Sequence, residues 1–145
     1  MLHLIRDFTD NFFGLLKEDP VRPHIPHDRR IGSNKDIFVD HEEQQANAIT
    51  CVSYQLEIPK DEIDLFENCL DPKTAVFYTI WSYKPGRGRQ LIQDSVKYIQ
   101  EHNKSINRFV TLSPKTEMAR RFHLNNGAVV FRENEDTINY EYFIR

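Results

Sequence analysis

Two cysteines among 145 residues are too few for a disulfide-built fold, and neither stands in a metal-binding spacing. Cys51 lies in an apolar run and Cys69 close to the end of an expected helix, so both read as structural thiols in a reducing compartment. Long apolar runs are missing too. Nothing approaches the roughly 20 residues of a membrane span, and the N-terminus carries Arg6, Asp7 and Asp10 where a signal peptide has its apolar core. The expectation is a soluble cytoplasmic chain with no membrane partner. Positive charge is not in excess: Lys+Arg 19 against Asp+Glu 22 gives a net charge of −3, so the overall field does not recruit nucleic acid and any anion site is local. No glycine loop ends in the Gly-Lys-Ser/Thr of nucleotide hydrolases, and no acidic residue stands where a dinucleotide fold needs one. Repeats and low-complexity segments are absent. His24 and His27 have no third and fourth ligand at a defined spacing, and no metal is expected.

What is present is a hydrophobic content of 39% with 12% aromatics, enough for one domain over residues 1–145 with its own core. The chain is organised around the stretch from Thr74 to Gln100. Residues 75–83 are mostly β-branched or aromatic and predict a buried strand. Pro85, Gly86 and Gly88 stop that strand, and Leu91, Ile92, Val96 and Ile99 then recur at helical spacing. A helix that begins straight after a glycine loop offers unpaired N–H groups and a positive dipole end, which suits phosphate. Lys84, Arg87 and Arg89 add cations at the same place.

Around this centre, Phe8, Phe12, Leu15 and Leu16 predict a helix over Asp7 to Lys17. Pro20, Pro23 and Pro26 then make Glu18 to Asp36 a long loop, with Arg22, Arg29 and Arg30 placed to border a cleft for anionic groups. Residues 1–35 thus read as helix and proline-rich loop, and residues 36–145 as the core. Asp36 to Asp40 and Ala48 to Ile58 predict a hairpin, its second strand alternating so that one face meets the core. Ile63, Phe66 and Leu70 are spaced for a short helix. Phe109 to Leu112 predicts a strand, and Ser113-Pro114 a helix start with Ser113 as N-cap. That helix carries Met118, Ala119 and Phe122 inward and stops at Asn126-Gly127. Ala128 to Arg132 and Thr137 to Ile144 close the sheet, and their last strand, ending at Arg145, is placed to pair with a second subunit as a homodimer. The order predicts an α+β, three-layer fold: a mixed sheet with helices on both faces.

Tyr83-Lys84-Pro85-Gly86-Arg87-Gly88 resembles, in its glycine spacing, the acyl-CoA pyrophosphate loop of the GNAT acyltransferase superfamily, with Tyr83 where that family usually has Gln or Arg. The segments FVTLSP, ARRFHLNNGAVVFREN and NYEY resemble the C-terminal catalytic domain of malonyl-CoA decarboxylase, and AVFYTI resembles its central strand. The likeness covers roughly residues 36–145. It implies a GNAT-like, mostly antiparallel twisted sheet that binds acetyl-CoA or another acyl-CoA. In that family pattern the central strand, here Ile80, Trp81 and Ser82, offers backbone groups to pantetheine and to an oxyanion. The following loop, here Lys84, Gly86, Arg87, Gly88 and Arg89, grips pyrophosphate. The serine and histidine of the decarboxylase motifs, assigned there to catalysis, fall on Ser113 and His123. Only seven residues separate Pro114 from Phe122, where the decarboxylase has a long helical insertion. The chain therefore resembles a minimal stand-alone relative, of the kind bacteriophages encode.

Three readings follow. The first is an acyltransferase that moves an acyl group from CoA to an unidentified amine, with His123 as the acid near the thioester. The second is decarboxylation of a malonyl-type thioester, with Ser113 and His123 as partners. The third is a module that binds CoA or a protein without turnover. Acceptor choice is expected to lie in the loop Glu18 to Asp36.

Overall fold

Both faces of the central sheet are covered, and this decides where every later feature can lie. The computed structural model describes residues 1–143. The strands are β1 (Leu2–Ile5), β2 (Lys35–Glu42), β3 (Gln45–Gln55), β4 (Thr74–Ser82), β5 (Arg108–Thr111), β6 (Ser113–Pro114), β7 (Val129–Glu133) and β8 (Thr137–Tyr142). Two α-helices, α1 (Arg87–His102) and α2 (Glu117–Asn125), and three short 3-10 turns complete the chain. The sheet runs β1-β2-β3-β4-β5-β8-β6, with β7 on the outer side of β8. Every pairing is antiparallel except β4 with β5. That parallel pair requires a crossover, which α1 supplies. Ile144 and Arg145, the end expected to meet a second subunit, lie outside the described residues.

One face carries Phe38, Val52, Phe77 and Phe109 beneath the apolar side of α1, Leu91, Val96 and Ile99. The other carries Ile37, Ile49, Val76, Tyr78 and Val110 beneath Leu16, Ile25 and Leu65. Cys51 and Ser53 are therefore as buried as Val52 and Tyr54, and the expected one-sided alternation of this strand is replaced by burial on both faces. Cys51 is a free thiol, pushed up to about 11 by burial.

The N-terminal quarter departs most from expectation. Leu2 to Ile5 form an unpredicted edge strand on β2, in register Leu2 with Asp40 through Ile5 with Ile37. The expected helix over 7–17 is a string of turns ending in a 3-10 segment, Phe13–Glu18. The cause is local: Asp7 and Asp10 carboxylates accept the N–H groups of Thr9 (2.8 Å) and Phe12 (2.9 Å), so side chains take donors a helix would use. The short helix expected around Ile63 is a single 3-10 turn, Glu62–Phe66, with Leu65 buried, while Ile63 and Leu70 are exposed.

The proline-rich loop is pinned from below. Asp19 and Arg30, both buried, form an ion pair at 2.7 Å. Asp19 also accepts from the backbone N–H of Val21 and Arg22 and from the hydroxyl of Thr79 on β4 (2.8 Å). Arg30 donates further to the carbonyls of Arg22 and Ile25. Arg22 and Arg30 are therefore structural, and they do not border an anion cleft as their sequence suggested. Asp19→Ala is expected to destabilise the fold by about 3–5 kcal/mol, because it strands a buried guanidinium. Urea unfolding of the variant checks this, and a loss near zero would show that the pair anchors nothing.

Candidate active site

The site is built where β4 outruns its parallel neighbour. Residues 74–77 of β4 pair with residues 108–111 of β5, and the last bond between them joins Leu112 N–H to the Phe77 carbonyl at 3.1 Å. Opposite β3, Cys51 faces Thr79 and Val52 faces Phe77, so Tyr78 is an extra residue, a bulge that bends the strand. From Tyr78 to Ser82 the β5 side of β4 has no strand partner among the described residues. The gap contains the Ile80–Ser82 segment anticipated for substrate: Ile80 is half-buried, Trp81 buried and Ser82 exposed.

Just past the gap the chain turns into α1. Gly86 has φ 79°, the left-handed region that glycine enters without strain, and it is the residue before the first turn of the helix. Gly88 is there for space: a Cβ at this position would lie 3.0 Å from the Phe122 ring of α2. Phe122 and Ile80 thus both pack beside the start of α1, Ile80 Cδ1 lying 3.9 Å from the same Cβ position. Tyr83 takes a structural part, accepting from Trp81 Nε1–H at 3.0 Å and donating to Glu18.

The cations of this loop are not alike. Arg87 is held in a two-pronged bond to the buried Asp40 of β2, Nε at 2.7 Å and Nη2 at 2.8 Å. Burial alone would raise the Asp40 carboxyl, but Arg87 and the Asn47 amide outweigh it and keep it below the usual carboxylate range. Lys84 approaches Glu42 only at 3.9 Å, and Arg89 is exposed with no carboxylate partner among the described residues. Arg89 opens a groove of about 460 Å3 that follows α1 past Gln93 and Lys97 to Asn126, Tyr142 and Phe143.

His123 is the one fully buried residue of α2. Its Nδ1 shares a hydrogen bond with the Tyr142 hydroxyl at 2.7 Å, and its ring stacks 5.0 Å from Tyr140. Burial lowers its pKa to about 4, so the imidazole is neutral at neutral pH. A neutral, buried imidazole is a weaker acid than the imidazolium, which weighs against the expected acid role. Ser113 does not cap α2. It sits in β6 opposite Ile138, buried, with its hydroxyl donated to Thr111 at 2.8 Å. The cap is Thr116, which accepts from Ala119 N–H. Ser-Pro was a misleading signal because the edge of β8 captured both residues before the helix began. No hydrogen bond joins Ser113 to His123 among the described residues. Met118 is exposed, and Phe122 and Ala119 are half-buried. Asp40 carried no motif that would have revealed it, and Tyr142 stood in the NYEY segment without a role assigned to it. Among the described residues no group of His, Cys, Asp or Glu is arranged to hold a metal, and no helix is long and apolar enough to cross a membrane.

No protein-family model matches the sequence, and no curated protein matches it. Solved structures do. The malonyl-CoA decarboxylase of Agrobacterium vitis superposes with a TM-score of 0.83 at 17% identity, over 100% of this chain and 60% of that one. The GNAT domain of S. lividans PAT gives 0.65 at 11% identity, over 99% and 89%. Arabidopsis thaliana NAA60, solved in complex with a bisubstrate analogue, gives 0.67 at 13% identity over the full length of both chains. The fold is that of the GNAT acyltransferases. The chain spans 60% of the length of the decarboxylases it matches. In GNAT terms β4 is the central strand, α1 the helix after the glycine loop and α2 the helix that follows the splayed neighbour strand.

Two measurements test this geometry. Gly88→Ala is expected to destabilise by about 1–3 kcal/mol through overpacking on Phe122, and Phe122→Ala in the same chain to relieve most of the clash; additive losses in a double-mutant cycle would contradict the contact. The His123 pKa lies below that of an unfolded histidine, so the unfolded state binds more protons as pH falls from about 6.5 to about 4 and stability drops across that window. His123→Phe is expected to flatten that slope, which amounts to roughly 3 kcal/mol at most, in unfolding curves recorded at pH 4, 5, 6 and 7. An unchanged slope would place the histidine outside the buried site.

Proposed function

We propose that the protein binds an acyl-CoA and transfers its acyl group to an amine. The observation that carries this reading is the junction of an unpaired strand end, Tyr78 to Ser82, with a left-handed glycine opening onto the N-terminus of α1. Free backbone groups on β4 suit the amide-rich pantetheine arm, and the helix start suits a pyrophosphate. A backbone N–H of the Ile80–Ser82 segment then meets the developing oxyanion. The groove along α1, flanked by Arg89 and Lys97, is sized and charged for the nucleotide end of CoA. The protein neighbours support the same chemistry, including NAA60 with its bisubstrate analogue.

One observation favours a second reading, a module without turnover. The Phe122 ring packs directly on Gly88 at the start of α1, and Arg87 is committed to Asp40. Decarboxylation of malonyl-CoA draws support from the similarity to the decarboxylases, and the engagement of Ser113 with Thr111 and of His123 with Tyr142 weighs against it.

Calorimetry with acetyl-CoA, malonyl-CoA and free CoA separates these readings. Binding of acetyl-CoA that weakens about tenfold in Arg89→Ala at low salt, with folding unchanged, is the expected outcome, since a hydrogen bond to a charged group contributes about 1.5–3 kcal/mol at best. Arg87→Ala is expected to lower stability as well as affinity, because it strands Asp40. Absence of binding by all three ligands would end the transferase reading and leave the interaction module. With an amine present, thiol release without CO2 marks transfer, and CO2 release from malonyl-CoA marks decarboxylation.

A further inference from the structure

A second polar centre lies on the opposite face of the sheet from α1 and α2. Arg22, buried in the proline-rich loop, reaches the place where β4 and β5 part. Its Nε donates to the Tyr78 carbonyl at 2.9 Å and its Nη2 to the Leu112 carbonyl at 2.8 Å. Its third donor, Nη1, holds Glu62 Oε1 at 2.7 Å. Glu62 in turn holds His24 Nε2, at 2.9 Å from Oε1 and 2.7 Å from Oε2. His24 is thus three hydrogen bonds from the gap, yet its side chain is 61% exposed. With Nε2 engaged by a carboxylate, the neutral tautomer is the one that carries its proton there. Nδ1 is then a free lone pair, and it has no partner among the described residues.

His24 also lines an open groove of about 600 Å3 whose walls are Phe8, Phe13, Pro23 and Pro26, with His27 and Asp28 at its rim. Phe8 is exposed, and Phe13 makes an edge contact with His27. The groove joins an aromatic wall to two carboxylates, Asp28 directly and Glu62 behind His24. A primary ammonium carrying an aromatic or branched apolar body complements both parts.

We infer that this groove receives the acceptor amine and that His24, held by Glu62, is the base that deprotonates it. The inference rests on the transferase reading and adds to it a substrate class and a named base. The ammonium gives one proton to His24 Nδ1. The freed nitrogen lone pair forms the C–N bond to the thioester carbonyl carbon, the C–S bond breaks, and the second proton lost by nitrogen goes to the departing CoA sulfur. His24 returns its proton to water. Arg22 is a positioning residue that ties Glu62 to the gap. The charged and titratable groups facing His24 are Glu62 from the 3-10 turn, Arg22, and His27 and Asp28 of its own loop.

The test uses the intact chain, phenethylamine as the apolar amine and ethanolamine as the polar control. By NMR, phenethylamine without CoA is expected to shift the His24 ring resonances, with ethanolamine doing so at least tenfold more weakly. In thiol-release kinetics with acetyl-CoA, His24→Ala is expected to lower kcat/KM for phenethylamine at pH 7 by at least tenfold, and Glu62→Gln by less. The acetyl-CoA KM stays the same, and the His24→Ala deficit shrinks as pH rises toward the amine's own pKa, where free base needs no catalyst. A merely structural histidine would not give that pH-dependent rescue. Failure of both amines to shift His24 overturns the inference whatever CoA does. Turnover in His24→Ala equal to wild type, or a deficit constant with pH, overturns the base while leaving acyl transfer intact. Absence of acetyl-CoA binding in the wild type overturns the transferase reading and this base with it.

Discussion

A buried ion pair between Asp19 and Arg30 holds the first quarter of the chain to the sheet. Two charges out of water stabilise nothing unless every remaining donor and acceptor is used, and here nearly all are. Asp19 gathers two backbone N–H groups and Thr79, and Arg30 gathers two carbonyls. That geometry fixes the loop conformation that delivers Arg22 to the end of β4. A segment with three prolines, poor in internal hydrogen bonds, is thereby ordered from beneath by side chains.

The gap between β4 and β5 follows from strand length and one extra residue. The parallel ladder ends at Phe77 because β5 stops at Thr111, and the Tyr78 bulge turns β4 away. Carbonyls exposed by this parting must be satisfied, and Arg22 meets two of them from one face. On the other face Phe122 fills the space beside Gly88. Each face of the sheet therefore brings different groups toward one opening: the start of α1 and its cations from one side, and from the other Arg22, which links the opening to Glu62 and His24.

Low identity with a shared fold is physically coherent. At 17% identity to a decarboxylase chain, the path of the backbone persists because alternating burial, a glycine turn and a crossover helix specify it. Local surroundings are set by packing in this chain: Ser113 bonds to Thr111 and His123 to Tyr142. Pairing with β8 draws Ser113 and Pro114 into a strand, and the neutral, buried His123 packs against Tyr140.

The amino-acid order alone settled the central strand, the glycine turn, the helix after it, the hairpin, the stop at Gly127 and hence the fold class, because each rests on local propensity and short-range periodicity. It also marked Gly86, Arg89 and the loop as a candidate anion site, since unpaired helix donors need no distant partner. Only the tertiary structure decided which cations were free. Arg87 found Asp40 across the sheet, and Arg22 and Arg30 found Glu62 and Asp19, because a salt bridge depends on distance in space and carries no sequence signal. The same holds for the edge strand Leu2–Ile5, which exists only because β2 offers it an unpaired ladder. It holds too for His24 and His123, of which one lies in a groove beside a carboxylate and the other under two tyrosines. Burial, and not residue type, set the chemistry of each.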